Sequence, residues 1–181
     1  SGLEAMDVPD YTLSAESTLS YLLPNVEVQR SLTGAGLNDP KLAERVTRNI
    51  NTSVSRLTNL QNEDGGWSWW KSSPLSGETG EGSDPYITAY VFFGLLRARG
   101  AGLTVNDAVL QRAGLYLQKQ DFTVNNDMPA SRLDDLTFIQ FVLAQVNSSG
   151  EATVNALYDA RDRLSPSSVA LLASLLNTIN P

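Results

Sequence analysis

SDPYITAYVFFGLLRARGAG, residues 83–102, opens on an aspartate and a proline and closes on glycines. The aspartate oxygen can accept a hydrogen bond from an orphan N–H of a starting helix. Proline suits the first helical position, where its missing N–H costs nothing. These signals predict a helix over about 85–99. From Pro85 to Leu96 its residues are apolar almost all round, so it is expected to be buried on most faces. Asp39-Pro40 and Ser165-Pro166 repeat the same starting device.

Outward from this segment the chain reads as helical throughout. Helices are expected at about 16–33, 40–60, 85–99, 106–120, 131–147, 151–163 and 166–178, with a short one near Leu3–Val8. Pro24 is expected to kink or restart the first. Gly36, Gly102 and Gly150 mark places where helices stop. KLAERVTRNINTSVSRLTNL, residues 41–60, differs from the Pro85 helix. Its apolar residues Leu42, Val46, Ile50, Val54, Leu57 and Leu60 form one stripe, the mark of an outer helix with a wet face. GAGL occurs at Gly34–Leu37 and at Gly100–Leu103, and each copy precedes a helix ending in Leu-Gln, at Leu60-Gln61 and Leu117-Gln118. Inner helix, GAGL turn, outer helix is the order of stacked helical hairpins. The fold class expected is all-α, built as a two-layer helical ring.

Composition narrows the chemistry. A chain of 181 residues with 41% apolar and 18% charged residues can bury a core and is neither disordered nor membrane-embedded. The net charge of −7 argues against nucleic acid and anionic membranes as partners. Without cysteine or histidine there is no disulfide, no thiolate, no Ser-His-Asp triad and no Cys/His zinc site. No cofactor or metal is expected. The chain carries no signal peptide at its start and is expected to begin inside a longer parent.

One long loop interrupts the helices, at about residues 62–84, with Trp67, Trp69 and Trp70 in its first third and a glycine-rich, acidic last third. Loops this long are usually functional or mobile. LQNEDGGWSWW (residues 60–70), the loop, and then SDPYITAYVFFGLLRARGAG resemble the thioester-containing domain of the alpha-2-macroglobulin and complement family, especially its bacterial members. That family shows LQ-x-x-DGG-aromatic, a variable loop, then a DP-[YW]-[VLI]-TAYV helix. YLLPNV (residues 21–26) and LYDARDRLSPSSVALLASLL (residues 157–176) extend the likeness over most of residues 1–181, as one domain of a larger multidomain protein. The fold implied is an alpha/alpha toroid of helical hairpins.

In that family the segment before LLPNV carries Cys-x-Glu-Gln, whose sulfur and glutamine carbonyl close an internal thioester. The bond stays shielded until a bait region is cut, and then acylates a nearby nucleophile. The chemistry needs a thiolate leaving group and a carboxamide within one helical turn. Laid on that motif, SAEST (residues 14–18) puts Ser14 at the cysteine, keeps Glu16, and puts Ser17 at the glutamine. Both reacting groups are lost, so no thioester is expected. The same segment also reads as a plain helix entrance, with Ser14 capping and Ser17 supplying nothing.

The resemblance implies a structural and interaction domain of a bacterial alpha-2-macroglobulin-like endopeptidase inhibitor, not an enzyme. Its parent would be extracellular or periplasmic, or membrane-anchored. The parent would trap proteases without a covalent bond, and this domain would hold its neighbouring domains. Family domains of this type usually run past Pro181, so an open ring with an apolar edge is expected to self-associate. The alternative is a toroid enzyme of the terpenoid cyclase or glycan-active type. QNEDGGW resembles a cyclase repeat, but Asp134-Asp135 lack a third carboxylate, and Glu63 and Asp64 are adjacent in a turn rather than facing each other across a site. For the tryptophans two roles compete, an interaction loop for glycan or peptide and a plug at one end of the ring. Asp64-Gly65-Gly66 reads as a tight turn with a positive φ. NTS at Asn51 and NSS at Asn147 match glycosylation acceptors.

Overall fold

A computed structural model describes residues 14–36, 39–69 and 82–179. Among these residues there are seven α-helices, one 3-10 turn and no strand: α1 (Ala15–Gly34), α2 (Pro40–Leu60), α3 (Pro85–Gly100), α4 (Asp107–Gln118), α5 (Ala130–Ala144), α6 (Glu151–Asp159), the 3-10 turn Arg161–Arg163, and α7 (Pro166–Ile179). The fold is all-α, as the punctuation of the sequence predicts. The short helix expected near Leu3–Val8 lies outside the described residues.

The three cap-proline starts form as expected. Asp39 accepts from the Leu42 N–H at 3.0 Å, Asp84 from that of Ile87 at 2.8 Å, and Ser165 from that of Ser168 at 3.3 Å. Both GAGL copies turn at their second glycine, Gly36 at φ 61° and Gly102 at φ 85°. Gly150 too lies in a break, the one between α5 and α6. Gly150 begins α6, and α5 ends instead through Asn147 at φ 55°, after which the Ser148 N–H reaches back to the Leu143 carbonyl at 2.9 Å.

The chain divides into two compact units, Ser1–Ala113 and Gly114–Pro181. In the first, α1 packs on both α2 and α3. Residue pairs fix the direction of α1 against α3. The Glu16 charge reaches Tyr90, Leu19 sits on Gly94, and Glu27 reaches Arg97. Both numbers rise together, so these two helices run the same way. A methyl group at Gly94 would lie 2.5 Å from Leu19 Cδ2, so glycine is what lets the two helices approach there. α3 buries Ile87, Thr88, Ala89, Val91, Phe92, Gly94, Leu95 and Ala98, whereas α2 buries the narrower set Val46, Ile50, Ser53, Val54 and Leu57. α3 is thus the more enclosed helix and α2 the one-sided one, as their apolar patterns predict.

Pro24 neither ends nor restarts α1, which runs unbroken from Ala15 to Gly34. The buried Asn25 side chain donates to the Tyr21 carbonyl at 2.8 Å and accepts from Asn49 of α2 at 3.3 Å. A side-chain donor thus serves the backbone beside the proline, and the packed partner holds the helix together where local propensity would break it.

In the second unit α5 packs on α7 and α6. The segment expected as one helix over 151–163 is instead α6, a break at Ala160 and the 3-10 turn. Asp134 accepts from the Ser165 backbone N–H at 3.0 Å, and Gln140 from that of Gly150 at 2.7 Å. These bonds from α5 set where α7 and α6 begin.

Candidate functional site

The first site is the entrance to α1. Ser14 is 5% exposed, has extended backbone at φ −104°, and accepts from the Ser17 N–H at 3.1 Å. Ser17 is not idle, as the plain helix entrance has it. Its hydroxyl oxygen lies 2.6 Å from that of Ser14, and it donates to the Ser14 carbonyl at 3.2 Å. The two side chains at positions i and i+3 therefore touch. They hold only hydroxyls, with no thiolate to leave and no carboxamide to attack. Thr18 completes the turn by donating to the Ser14 carbonyl at 2.9 Å. Ser14→Ala is expected to cost about 1 kcal/mol, the usual loss of a capping oxygen. Ser17→Ala is expected to cost less, because the capped N–H stays capped. Urea titrations of the two variants check this order.

The second site is the turn at residues 61–67 and its partners. Asp64 accepts from the Gly66 N–H at 3.0 Å and from the Ser83 hydroxyl at 2.6 Å. The Gly65 φ of 94° confirms the expected turn, and a Cβ there would lie 2.5 Å from the Arg112 carbonyl oxygen. Gly66 is equally confined: a Cβ would meet Ser83 Cβ at 2.4 Å. The Gln61 amide nitrogen donates to the Gly65 carbonyl at 2.9 Å and to the Val109 carbonyl at 3.0 Å, and its oxygen accepts from Arg112. Trp67 is fully buried. Its backbone N–H donates to Thr88 Oγ1 at 2.9 Å, its indole N–H donates to the Leu57 carbonyl at 2.8 Å, and its carbonyl accepts from the Asp84 N–H at 2.8 Å. The LQ, DGG-Trp and DP elements, spread along the sequence, are thus one polar clasp.

The tryptophans separate. Trp67 is core of its own unit. Trp69 is 38% exposed and stacks on Tyr86, ring centroids 6.4 Å apart at 14° between planes. Trp70 lies outside the described residues. Tyr86 in turn meets Tyr90 at 6.5 Å and a 35° tilt. Burial raises the Tyr90 phenol above its usual range, and the Glu16 carboxylate raises it further. Tyr90 thus joins the aromatic row to the α1 entrance. The quoted motifs contain Gln61, Thr88 and Tyr90 but gave them no role, and Arg112 lies outside them; the α3 positions 86, 90 and 93, one turn apart, are the signal that could have singled out Tyr90.

The acids weighed for catalysis do not converge. Asp134 is engaged by the Ser165 backbone, and Asp135 lies 3.9 Å from Arg132. Among the described residues no group of His, Cys, Asp and Glu could hold a metal ion. No helix of the described residues is long and apolar enough to cross a membrane.

No family model matches the chain. Alpha-2-macroglobulin of Xylella fastidiosa (strain Temecula1) is 31% identical over 138 residues, 71% of this chain and 8% of that protein. Alpha-2-macroglobulin of Thermotoga maritima is 35% identical over 104 residues, 58% of this chain and 6% of that protein. The chain therefore spans less than a tenth of the length of these curated relatives. In structure, it is similar to native Escherichia coli alpha-2-macroglobulin solved from domain MG7 to the C-terminus, with a TM-score of 0.73, 20% identity, and 98% of this chain and 28% of that chain covered. Trypsin-activated Escherichia coli alpha-2-macroglobulin gives a TM-score of 0.70 at 22% identity, over 96% of this chain and 12% of that chain. At these identities the structural likeness shows the fold.

Proposed function

We propose, for a chain that belongs to the alpha-2-macroglobulin family, that residues 1–181 form its thioester-type domain with the thioester lost. The observation that carries this is the Ser14–Ser17 contact. Side chains at i and i+3 meet at 2.6 Å at the start of the helix that leads into LLPNV, which is where the family's reacting pair stands. Here a hydrogen bond spans the gap that a covalent bond would close. The domain is then a structural and interaction module in an alpha/alpha toroid, and its parent inhibits endopeptidases by enclosing them. Enclosure needs no acyl bond, only rearrangement of large domains around a cleaved segment. The parent works outside the cytoplasm, in the periplasm or beyond the cell. The trypsin-activated form of the Escherichia coli protein supports proteases as the partners. Neighbouring domains of the parent are its other partners.

The experiment uses the full-length parent with a broad-specificity protease. Expected are a smaller hydrodynamic radius after cleavage, lost activity on a large substrate with activity on a small one kept, and no covalent adduct on denaturing gels. Methylamine is expected to add no mass before or after cleavage. A protease band shifted by covalent linkage would overturn the loss of thioester chemistry. Unchanged size with full activity on both substrates would remove the inhibitor.

The enzyme alternative gains nothing from the structure. Asp134 and Asp135 are engaged as described, and Trp67 fills core rather than lining an opening.

A further inference from the structure

We propose that Asn147 is an N-glycosylation site: its side-chain amide takes a sugar from a glycosyl diphosphate donor, and the Ser149 hydroxyl is the group that the transferring enzyme reads beside it. Asn147-Ser148-Ser149 and Asn51-Thr52-Ser53 both match the acceptor pattern Asn-x-Ser/Thr. The structure separates them. Asn51 lies in the middle of α2, and the hydroxyl two residues on is out of reach. Ser53 is fully buried and donates to the Asn49 carbonyl at 2.9 Å. In a helix, residues i and i+2 also do not face each other, so one enzyme cleft cannot take both.

Asn147 differs on each count. It is exposed, and it stands with φ 55° in the passage between α5 and α6, where residues 145–150 are not helical. Other atoms hold that passage in shape. The Asn147 N–H donates to the Ala144 carbonyl at 3.1 Å and the Ser148 N–H to the Leu143 carbonyl at 2.9 Å. The Gly150 N–H donates to Gln140 Oε1 at 2.7 Å. The Ser148 hydroxyl accepts from the Gln118 amide at 3.2 Å and donates to the Val146 carbonyl at 3.3 Å. Among the described residues nothing bonds the Asn147 side-chain amide or the Ser149 hydroxyl. The two groups that a transferase handles are thus the two that the turn does not use, and a sugar on Asn147 breaks no hydrogen bond of the fold. In the reaction Asn147 Nδ2 bonds to the anomeric carbon of the donor. The bond from that carbon to the diphosphate oxygen breaks, the diphosphate leaves with the electron pair, and the amide gives up one proton to solvent. Nothing is oxidised or reduced. A sugar here also requires the α5–α6 turn to face solvent in the parent. This site stands apart from protease trapping: a chain that encloses no protease would be modified all the same.

The test incubates the folded 181-residue chain with two transferases that read Asn-x-Ser/Thr alone, and follows intact mass and peptide maps. One is a soluble enzyme with UDP-glucose, the other a membrane enzyme with a lipid-linked oligosaccharide. One sugar or glycan per chain is expected, on Asn147, from either enzyme or from both. The enzyme that acts tells whether a nucleotide or a lipid carries the donor. Asn147→Asp, which keeps the shape and the tolerance for positive φ, and Ser149→Ala are each expected to lose the modification. Asn51→Gln is expected to keep it. In the folded chain Asn51 should react about a hundredfold more slowly or not at all, because its helix must first open. Synthetic peptides of residues 47–55 and 143–151 carry no fold and are expected to react alike. A folded chain left unmodified by both enzymes would overturn the proposal, as would Asn51 reacting as fast as Asn147, or a modification that survives Ser149→Ala. Peptides as unequal as the two folded sites would overturn the role of the fold in choosing between them.

Discussion

Trp67→Ala is expected to cost roughly 4–6 kcal/mol, the largest loss from any single replacement in the unit that holds the clasp. About 3–5 kcal/mol of that is lost burial and the cavity left by a fully buried indole. The rest comes from the Leu57 carbonyl. It lies in the last turn of α2, where intrahelical donors run out, and its partner is the indole N–H at 2.8 Å. Removing the indole leaves a buried acceptor dry. Trp67→Phe separates the two effects: it keeps most of the volume and loses the hydrogen bond, for about 1–3 kcal/mol. Domains of this kind are stable by only about 5–15 kcal/mol, so the alanine variant should sit at the edge of folding. Urea midpoints for the wild type and both variants test it. A midpoint for Trp67→Ala within error of the wild type would show that the indole is not the keystone of this unit.

Gly65→Ala is expected to cost roughly 2–5 kcal/mol, although it adds a single methyl group. Two penalties combine. At φ 94° an L-residue with a Cβ is strained by about 1–2 kcal/mol. The new carbon would also lie 2.5 Å from the Arg112 carbonyl oxygen and 2.9 Å from its carbon, both backbone atoms, so an overpacking cost of about 1–3 kcal/mol follows. Gly36 and Gly102 supply the control. Both have positive φ, and among the described residues neither has a heavy atom within 4 Å of where the Cβ would stand. Their alanine variants should lose only the strain term. Melting temperatures of the three variants, measured side by side, decide the matter. If all three fall equally, the contact with Arg112 carries no cost and only backbone strain operates.

Both large effects sit in the DGG-Trp motif, and the sequence shows only part of the reason. The turn at Asp64–Gly66 was readable because adjacent residues make it. So were the starts at Asp39, Asp84 and Ser165, where cap and proline stand side by side and the bond formed spans three residues. What closes through space was not readable. Gln61 reaches Val109 and Arg112, and Thr88 holds the Trp67 N–H, across separations for which the chain carries no periodic signal. The same distinction explains the misses. Pro24 reads as a kink or a restart, and no restart occurs because Asn25 is held by Asn49, which its neighbours do not announce. The split after Asp159 is invisible in composition, since Asp134 on α5 fixes Ser165 and so determines where α7 must begin. Asn147 replaces a glycine as helix terminator because asparagine tolerates the left-handed region when its neighbours supply the reverse bonds. For the α1 entrance, the spacing of SAEST was legible, but the contact between its two hydroxyls was a matter of rotamers.

The pairing of Trp67 with Asp84 also bears on how freely this protein can change. Their backbone bond of 2.8 Å makes residues far apart in sequence immediate neighbours, on a base set by the core beneath. The two ends of the segment between them are therefore held side by side. Lengthening what lies between costs only the slow logarithmic entropy of a larger closed circuit, about 0.6 kcal/mol for each doubling. A change of length between Trp67 and Asp84 is therefore one that the paired ends can absorb while the helices on either side keep their places.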